Sequence, residues 1–176
     1  MPTSKFQRLT MRGRTAFWAG VALGAAVVLG TIDQLPGTMA TRFDAAGRPD
    51  TWSSRTGYLV FLAGFGVALP LAIVAMVALF ARRAPEWISL PHREIWLAQP
   101  RRAEGLARVR AQMWWLACLL ALAAIVVHLG VVRAHASDPP RLPLAAALGT
   151  IGLVLGGIAI WIVAWHRLFR PPSGSN

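Results

Sequence analysis

Four apolar runs, each long enough to cross a bilayer, limit what this chain can fold into more than any other feature. A helix needs about 20 apolar residues to span a hydrocarbon core of roughly 30 Å. The pattern therefore predicts an all-α integral membrane protein with four transmembrane helices. The predicted spans are residues 15–33, 58–81, 111–132 and 143–166.

The composition agrees with a membrane protein and disagrees with a nucleic-acid-binding one. Apolar residues make up 56% of the chain and charged residues only 14%, whereas soluble domains carry about 25% charge. A net charge of +11 would suggest nucleic acid in a soluble protein. Here the basic residues flank apolar runs, which is typical of lipid-facing proteins, so we expect the lipid bilayer and no nucleic acid as partner.

The distribution of basic residues predicts how the chain crosses the membrane. Thirteen of the 18 Lys and Arg residues lie in three segments that should share one side, and five lie in the other two loops. The positive-inside rule then places both termini in the cytoplasm. The expected segments are a cytoplasmic N-terminus (1–14), an extracytoplasmic cap loop (34–57), a basic interfacial connector (82–110), a short outer loop (133–142) and a disordered tail (167–176).

Small residues and prolines within the spans suggest how the helices pack. Gly20 and Gly24 form a GxxxG pair, which permits close helix approach; a substrate groove is the alternative interpretation. Pro70 should kink the second span. Spans three and four carry similar stripes of small residues, which predict that they pack as an antiparallel pair. The stripes are Ala117, Ala121, Ala124 and His128 in one, and Ala145, Gly149, Gly152, Gly156 and Ala159 in the other.

The connector combines arginines with tryptophans, a composition typical of the membrane interface. Pro100 suits the first position of a helix, which we expect to continue unbroken through residues 100–132. The first turns of this helix should place four arginines near lipid phosphates: Arg101, Arg102, Arg108 and Arg110.

The cap loop is the one long polar segment with both turn residues and aromatics. Asp44 and Gly47 fit the first and fourth positions of a type I turn. Met39, Thr41 and Phe43 alternate with other residues, a period of two that predicts a strand. We expect a compact hairpin whose side chains form a binding surface: Arg42, Phe43, Asp44, Gly47, Arg48, Pro49, Asp50 and Trp52.

The same loop resembles the outer-loop motif of the SdpI-like bacterial membrane family, which includes the immunity protein for the sporulation-delaying toxin. The family pattern has Leu-Pro, then Pro-x-His-Phe-Asn, then x-x-Gly-x-Pro-Asp-x-Trp. This chain matches it at Leu35, Pro36, Phe43, Asp44, Gly47, Pro49, Asp50 and Trp52, and departs from it at Ala40 and Arg42. Because Arg42 replaces the family histidine, a metal-binding or pH-sensing role of that histidine does not carry over. A second stretch, LPHREIWLAQPRR at residues 90–102, resembles a cytoplasmic motif of related proteins.

The ionisable residues give little indication of catalysis. The four histidines have neither HxxxH nor HExxH spacing, and the single cysteine, Cys118, excludes an intramolecular disulfide and a cysteine metal site. We therefore expect no metal, no cofactor and no catalytic residue. Asp33 and His128 should approach each other near the outer surface, since both are costly beside lipid unless paired.

The resemblance implies an immunity-like or receptor-like protein of the bacterial cytoplasmic (inner) membrane, without an assigned reaction. Together with the scarcity of ionisable residues in the spans, it favours a binding or regulatory protein over an enzyme. The partner would be a peptide, a toxin or a membrane protein. The alternatives are a membrane-embedded enzyme or carrier for a lipid-linked substrate, and a structural subunit of a membrane complex. The oligomeric state stays open.

Overall fold

The computed structural model describes residues 3–171 and is mostly helical. Four of its helical segments have the length and composition of membrane spans, which makes the chain a multi-pass membrane protein, as predicted. These segments are Lys5–Gln34, Arg55–Arg83, Arg102–Ala134 and Leu144–Leu168. The elements in order are α1 (Thr3–Thr31), β1 (Thr38–Phe43), β2 (Pro49–Ser54), α2 (Arg55–Ala63), α3 (Leu69–Arg83), α4 (Arg93–Trp96), α5 (Arg102–Ala134) and α6 (Leu144–Leu168).

The four spans alternate in direction, which gives the bundle two distinct ends. We call the end with β1 and β2 the hairpin end, and the end with residues 84–101 the connector end. Both limits of the described chain lie at the connector end. A short 3-10 turn, Ile32–Gln34, leads from α1 to the hairpin, and another, Pro85–Trp87, opens the connector.

The first helix begins at Thr3, so it includes most of residues 1–14, which were predicted to be a separate N-terminal segment. Gly13, the weakest helix former in this part, lies close against α5. A Cβ on Gly13 would stand 3.0 Å from the Cβ of Trp114. Packing against α5 therefore extends the helix through residues that hydropathy alone assigned to a separate terminus.

The second span contains a π turn where the sequence predicts a proline kink. The Leu69 N–H donates to the Gly64 carbonyl, five residues back, across the π segment Gly64–Ala68. Pro70 follows directly and cannot donate a backbone hydrogen bond. Gly66 lies in this turn, and a Cβ there would be 2.9 Å from that of Ala124 on α5. The irregular turn thus lies against the central helix.

Helix α5 is the centre of the bundle, and α1 packs along it. Phe17 is fully buried against Ala117, Cys118 and Ala121. The GxxxG pair faces the same seam, since a Cβ on Gly20 would stand 3.8 Å from the Cβ of Ala121. The pair therefore packs against α5 as predicted, and it also lines an apolar groove between α1, α2 and α5, so the groove alternative stays open.

Helices α5 and α6 pack against each other as the predicted pair, but their small stripes do not form the seam between them. The stripe on α5 faces α1 and the π turn instead. On α6, a Cβ added at Gly149, Gly152 or Gly156 would meet nothing within 4 Å. Helix α6 does contact α5, through a different face on which Trp161 and Gln112 exchange hydrogen bonds. Small residues signal close packing, but they do not specify the partner.

Helix α5 runs unbroken for 33 residues and begins at Arg102. Its continuity between Arg110 and Trp114 confirms the prediction of one long helix. The predicted start at Pro100 is two residues early. The N–H groups of Arg101 and Arg102 both bond the Ala98 carbonyl, in a turn that precedes the helix.

The predicted tail is partly structured. Helix α6 extends to Leu168, and Phe169 is fully buried against Trp96 of α4. The indole Nε1 of Trp96 also donates to the Phe169 carbonyl at 2.9 Å. Residues 172–176, the rest of that segment, lie outside the described residues.

Candidate functional site

The hairpin between α1 and α2 carries all eight residues expected to bind a partner. Strands β1 and β2 pair antiparallel, from Thr38 opposite Ser54 to Phe43 opposite Pro49. The pairing is irregular around Arg42, so the strict alternation predicted for β1 does not hold, and the neighbours Met39 and Ala40 are both buried.

A type I turn closes the hairpin, as the sequence predicts. The Gly47 N–H donates to the Asp44 carbonyl at 2.9 Å, and Gly47 has a φ of 72°. The Asp44 carboxylate accepts from the N–H groups of Ala46 and Arg48 at 2.9 and 2.8 Å. The hydrogen bond from the Arg48 backbone lowers the pKa of Asp44, and the Arg48 guanidinium adds to this effect.

Three contacts hold the hairpin against the rest of the bundle. The Leu142 N–H donates to the Gly47 carbonyl at 3.0 Å, and the Ala40 N–H donates to His135 Nε2 at 3.1 Å. The guanidinium of Arg55 donates to the Leu35 carbonyl. Because these contacts come from three different segments, the hairpin is fixed at both its tip and its base.

The two aromatic residues of the hairpin differ in their surroundings. Phe43 is partly buried and meets the ring of His135 edge-on, with centroids 6.5 Å apart. Trp52 is 52% exposed. Phe43 therefore helps to pack the hairpin onto the end of α5, whereas Trp52 presents an aromatic surface to the surroundings.

The charged residues of the hairpin form two exposed ion pairs. Arg42 and Asp50 approach to 2.6 Å, with the arginine side chain 71% exposed, and Arg48 and Asp44 approach to 2.9 Å. Exposed pairs of this kind contribute little to stability. Of the predicted binding residues, Arg42, Asp44, Arg48, Asp50 and Trp52 are exposed, while Phe43, Gly47 and Pro49 are partly buried. We call the exposed five the recognition face.

His128 does not pair with Asp33. Its Nε2 lies 2.8 Å from the Thr31 hydroxyl, and its Nδ1 lies 3.1 Å from the Tyr58 hydroxyl. Thr31 also donates to the Val27 carbonyl at 2.7 Å. The Thr31 oxygen is therefore placed to accept from Nε2–H, and in the neutral ring with that tautomer Nδ1 accepts from the Tyr58 hydroxyl. Asp33 is exposed in the turn after α1.

Sequence reasoning missed the two hydroxyls that satisfy His128. Thr31 precedes Asp33 by two residues, and Tyr58 lies in the first turns of α2. The period of α5 places His128 on the face toward both helices. A buried histidine needs partners for two ring nitrogens, so a search for hydroxyls near the same membrane depth could have found them.

The four connector-end arginines do not share one environment. Arg102 and Arg110 are exposed, and Arg101 is partly so. The Arg108 side chain is only 16% exposed and bonds Glu104 at 2.5 Å. Its guanidinium lies 3.9 Å from the Trp96 ring centroid and 4.9 Å from that of Phe6. The predicted lipid contact is therefore wrong for Arg108, which the protein itself surrounds.

Residues 19–67 match the model of a domain of unknown function, DUF1648. The matched segment runs from α1 through the hairpin into the π turn, and such domains occur in membrane proteins. It covers well under half of the chain. No curated protein and no solved structure matches this chain. Across residues 3–171, no cluster of three or more His, Cys, Asp or Glu side chains has metal-binding geometry.

Proposed function

We propose that this protein is a binding or regulatory protein of the bacterial cytoplasmic membrane. In this proposal, the recognition face of the hairpin binds a peptide, a toxin or another membrane protein. The observation that carries it is that hydrogen bonds fix the hairpin to the bundle, while Trp52 and the charged side chains of the hairpin stay exposed. Binding loses less conformational entropy when the binding surface is already ordered.

The chemistry of the recognition face suits a protein partner. Trp and Arg are the residues that most often dominate binding energy at interfaces. The Arg42 side chain is 71% exposed, and Trp52 is 52% exposed. The ion pair of Arg42 with Asp50 can be exchanged for a pair with a charged partner at little cost to the fold.

The family resemblance supports an immunity-like or receptor-like role. The segment that matches the domain model contains the motif residues Phe43, Gly47 and Trp52. We propose on this basis that the chain is related to the SdpI-like proteins. We also propose that both termini are cytoplasmic and that the hairpin is extracytoplasmic, because basic residues are concentrated at the connector end.

The alternatives have less support from the site. An enzyme or carrier for a lipid-linked substrate would use ionisable groups inside the spans. His128 is such a group, but both of its ring nitrogens are already bonded to hydroxyls. A structural-subunit role would use the exposed faces of the spans and would not require the recognition face.

Affinity purification in a mild detergent tests the proposal. Wild type should capture one or more partners, and Arg42→Ala, Arg48→Ala and Trp52→Ala should lose them. The matched control is Arg141→Ala, an exposed arginine at the same end but outside the hairpin. If Arg42→Ala and Arg48→Ala both retain every partner, the hairpin only covers the end of the bundle and is not the binding surface.

The orientation is tested by labelling introduced cysteines in a Cys118→Ala background. Single cysteines at positions 44 and 173 should react with a membrane-impermeant reagent from opposite sides, with position 44 labelled in intact cells. Labelling of both positions from the same side would contradict the four-span topology.

A further inference from the structure

An apolar groove of about 320 Å³ lies between α1, α2 and α5, within the membrane-spanning segments. On α1 it follows residues 20–29, which cover about 13 Å at 1.5 Å per residue. The groove is thus elongated along the axes of the helices that line it. Its shape therefore fits a single extended hydrocarbon chain better than a ring system.

The lining of the groove offers nothing for a polar ligand. The side chains that line it are apolar apart from His128, which stands at the end nearest the hairpin. Both nitrogens of that ring are engaged by Thr31 and Tyr58. A ligand inside the groove must therefore be apolar.

A cationic side chain lies one helical turn beyond the same end of the groove. Arg55 lies one helical turn before Leu59, which lines the groove, and on the same face of α2. Its guanidinium reaches across to the carbonyl of Leu35, in the segment that follows α1. Arg55 thus connects the start of α2 to the segment that follows α1.

The charge of Arg55 is not neutralised by the protein. None of the ion pairs within residues 3–171 involves it, so the guanidinium has no carboxylate partner among them. A guanidinium near the membrane boundary is costly without an anionic partner. A phosphate group offers oxygens in the geometry that a guanidinium binds best.

An exposed carboxylate stands beside the same end of the groove. Asp33 lies in the turn directly after α1. A headgroup with net negative charge would be repelled by it, whereas a headgroup with both a phosphate and an ammonium group complements Arg55 and Asp33 together. The charges therefore favour a zwitterionic phospholipid.

We propose that the groove binds one acyl chain of a zwitterionic phospholipid whose phosphate pairs with Arg55. The acyl chain gains no hydrophobic free energy when it moves from the bilayer into the groove, because lipid tails are as apolar as the groove. Retention comes from close packing along the groove and from the charge-assisted hydrogen bonds of the headgroup.

Native mass spectrometry of the full-length protein tests the proposal. The protein is purified in mild detergent and incubated with phosphatidylethanolamine, phosphatidylcholine or phosphatidylglycerol. We expect one lipid to stay bound per chain, with the two zwitterionic lipids retained more than phosphatidylglycerol. Absence of a retained lipid, or equal retention of several lipids per chain, would overturn the proposal.

Two neighbouring alanines of α1 provide matched variants. Ala25 lines the groove and Ala26 does not, and both are exposed. Ala25→Phe should fill the groove and reduce lipid retention about tenfold, while Ala26→Phe should retain lipid as wild type does. Equal retention in both variants, or equal loss, would place the lipid elsewhere on the protein.

Arg55→Gln tests the headgroup contact, with Arg141→Gln as the control for a lost charge at the same end. The Arg55 variant should lose the preference for zwitterionic lipids, and the Arg141 variant should keep it. An unchanged preference in Arg55→Gln would refute the phosphate pairing. If lipid retention instead requires association of two chains, the mass spectrum will show lipid only on dimers, which would contradict a site within one bundle.

Discussion

The backbone of Gly47 bonds the backbone of Leu142: the Leu142 N–H donates to the Gly47 carbonyl at 3.0 Å. This bond joins the turn of the hairpin to the loop between α5 and α6, nearly a hundred residues along the chain. Gly47 has a φ of 72°, and a Cβ at this position would collide with the Leu142 carbonyl oxygen. The contact therefore requires glycine for two independent reasons.

We predict that Gly47→Val detaches the hairpin from the bundle. A β-branched residue resists positive φ, and strain of this kind costs about 1–3 kcal/mol. Hydrogen exchange should show lost protection at the Leu142 and Gly47 amides. The control is Gly37→Val, because a Cβ at Gly37 would meet nothing within 4 Å. Unchanged protection in Gly47→Val would contradict the role of this contact.

The turn at Asp44–Gly47 could be predicted from local sequence, but its contact with Leu142 could not. Asp44 and Gly47 specify a type I turn through their own hydrogen bonds and backbone freedom. The contact with Leu142 depends on where α5 ends and α6 begins, which no local pattern encodes. For the same reason, the stripe of small residues on α5 that includes Ala121 correctly indicated close packing. It did not indicate that the helix packed against it is α1.

Arginines illustrate the same limit at the connector end. Arg108 and Arg110 are two residues apart on α5, and composition assigned both to lipid phosphates. In the structure, Arg108 stacks on Trp96 and pairs with Glu104, while Arg110 is exposed. The difference arises from α4 folding back over one face of α5, and only the tertiary structure supplies that information.

We predict that Arg108→Gln destabilises the connector end. The variant loses the cation–π contacts with Trp96 and Phe6 and the ion pair with Glu104, and leaves the Leu168 carbonyl without its donor. Breaking a fully buried charged pair costs about 3–5 kcal/mol and an exposed one under about 1 kcal/mol, so the loss for this partly buried pair should lie between these values. Thermal unfolding in detergent should show the loss.

Arg110→Gln is the matched control for this prediction. Arg110 is exposed, so its loss should change the free energy of unfolding by less than about 0.5 kcal/mol. If the two variants unfold at the same temperature, the packing of Arg108 against α4 contributes nothing measurable.

We predict that Thr31→Val weakens the bundle through His128. The valine keeps the shape of threonine but removes the oxygen that accepts from Nε2–H. Hydrogen bonds between membrane helices contribute about 0.6 kcal/mol on average, and the unpartnered ring N–H adds to that loss. Tyr58→Phe should have a comparable effect, because it removes the donor to Nδ1.

Thr10→Val is the control for the threonine substitution. Like Thr31, Thr10 donates to the carbonyl four residues back, that of Phe6. Thr31 also contacts a histidine, His128, whereas Thr10 contacts none among the described residues. Equal changes in stability for Thr10→Val and Thr31→Val would show that the contact with His128 is energetically neutral.

The Asp44 turn should make the hairpin sensitive to acid. The N–H of Arg48 lowers the pKa of Asp44 in the folded protein, so folding favours the ionised carboxylate. The resulting stabilisation is complete above the pKa of the unfolded chain, about 4. It decreases as the pH falls through the lower pKa of the folded state. Protection of the Ala46 and Arg48 amides from hydrogen exchange, normalised to intrinsic rates, should therefore fall on acidification.

Asp44→Asn isolates the contribution of the charge. The asparagine carbonyl can still accept from the N–H groups of Ala46 and Arg48, because its oxygen occupies the position of Oδ1. The variant should show less protection than wild type at neutral pH, and it should lose less protection than wild type on acidification to pH values below about 4. An equal dependence on pH in both proteins would mean that a group other than Asp44 controls the acid response of the hairpin.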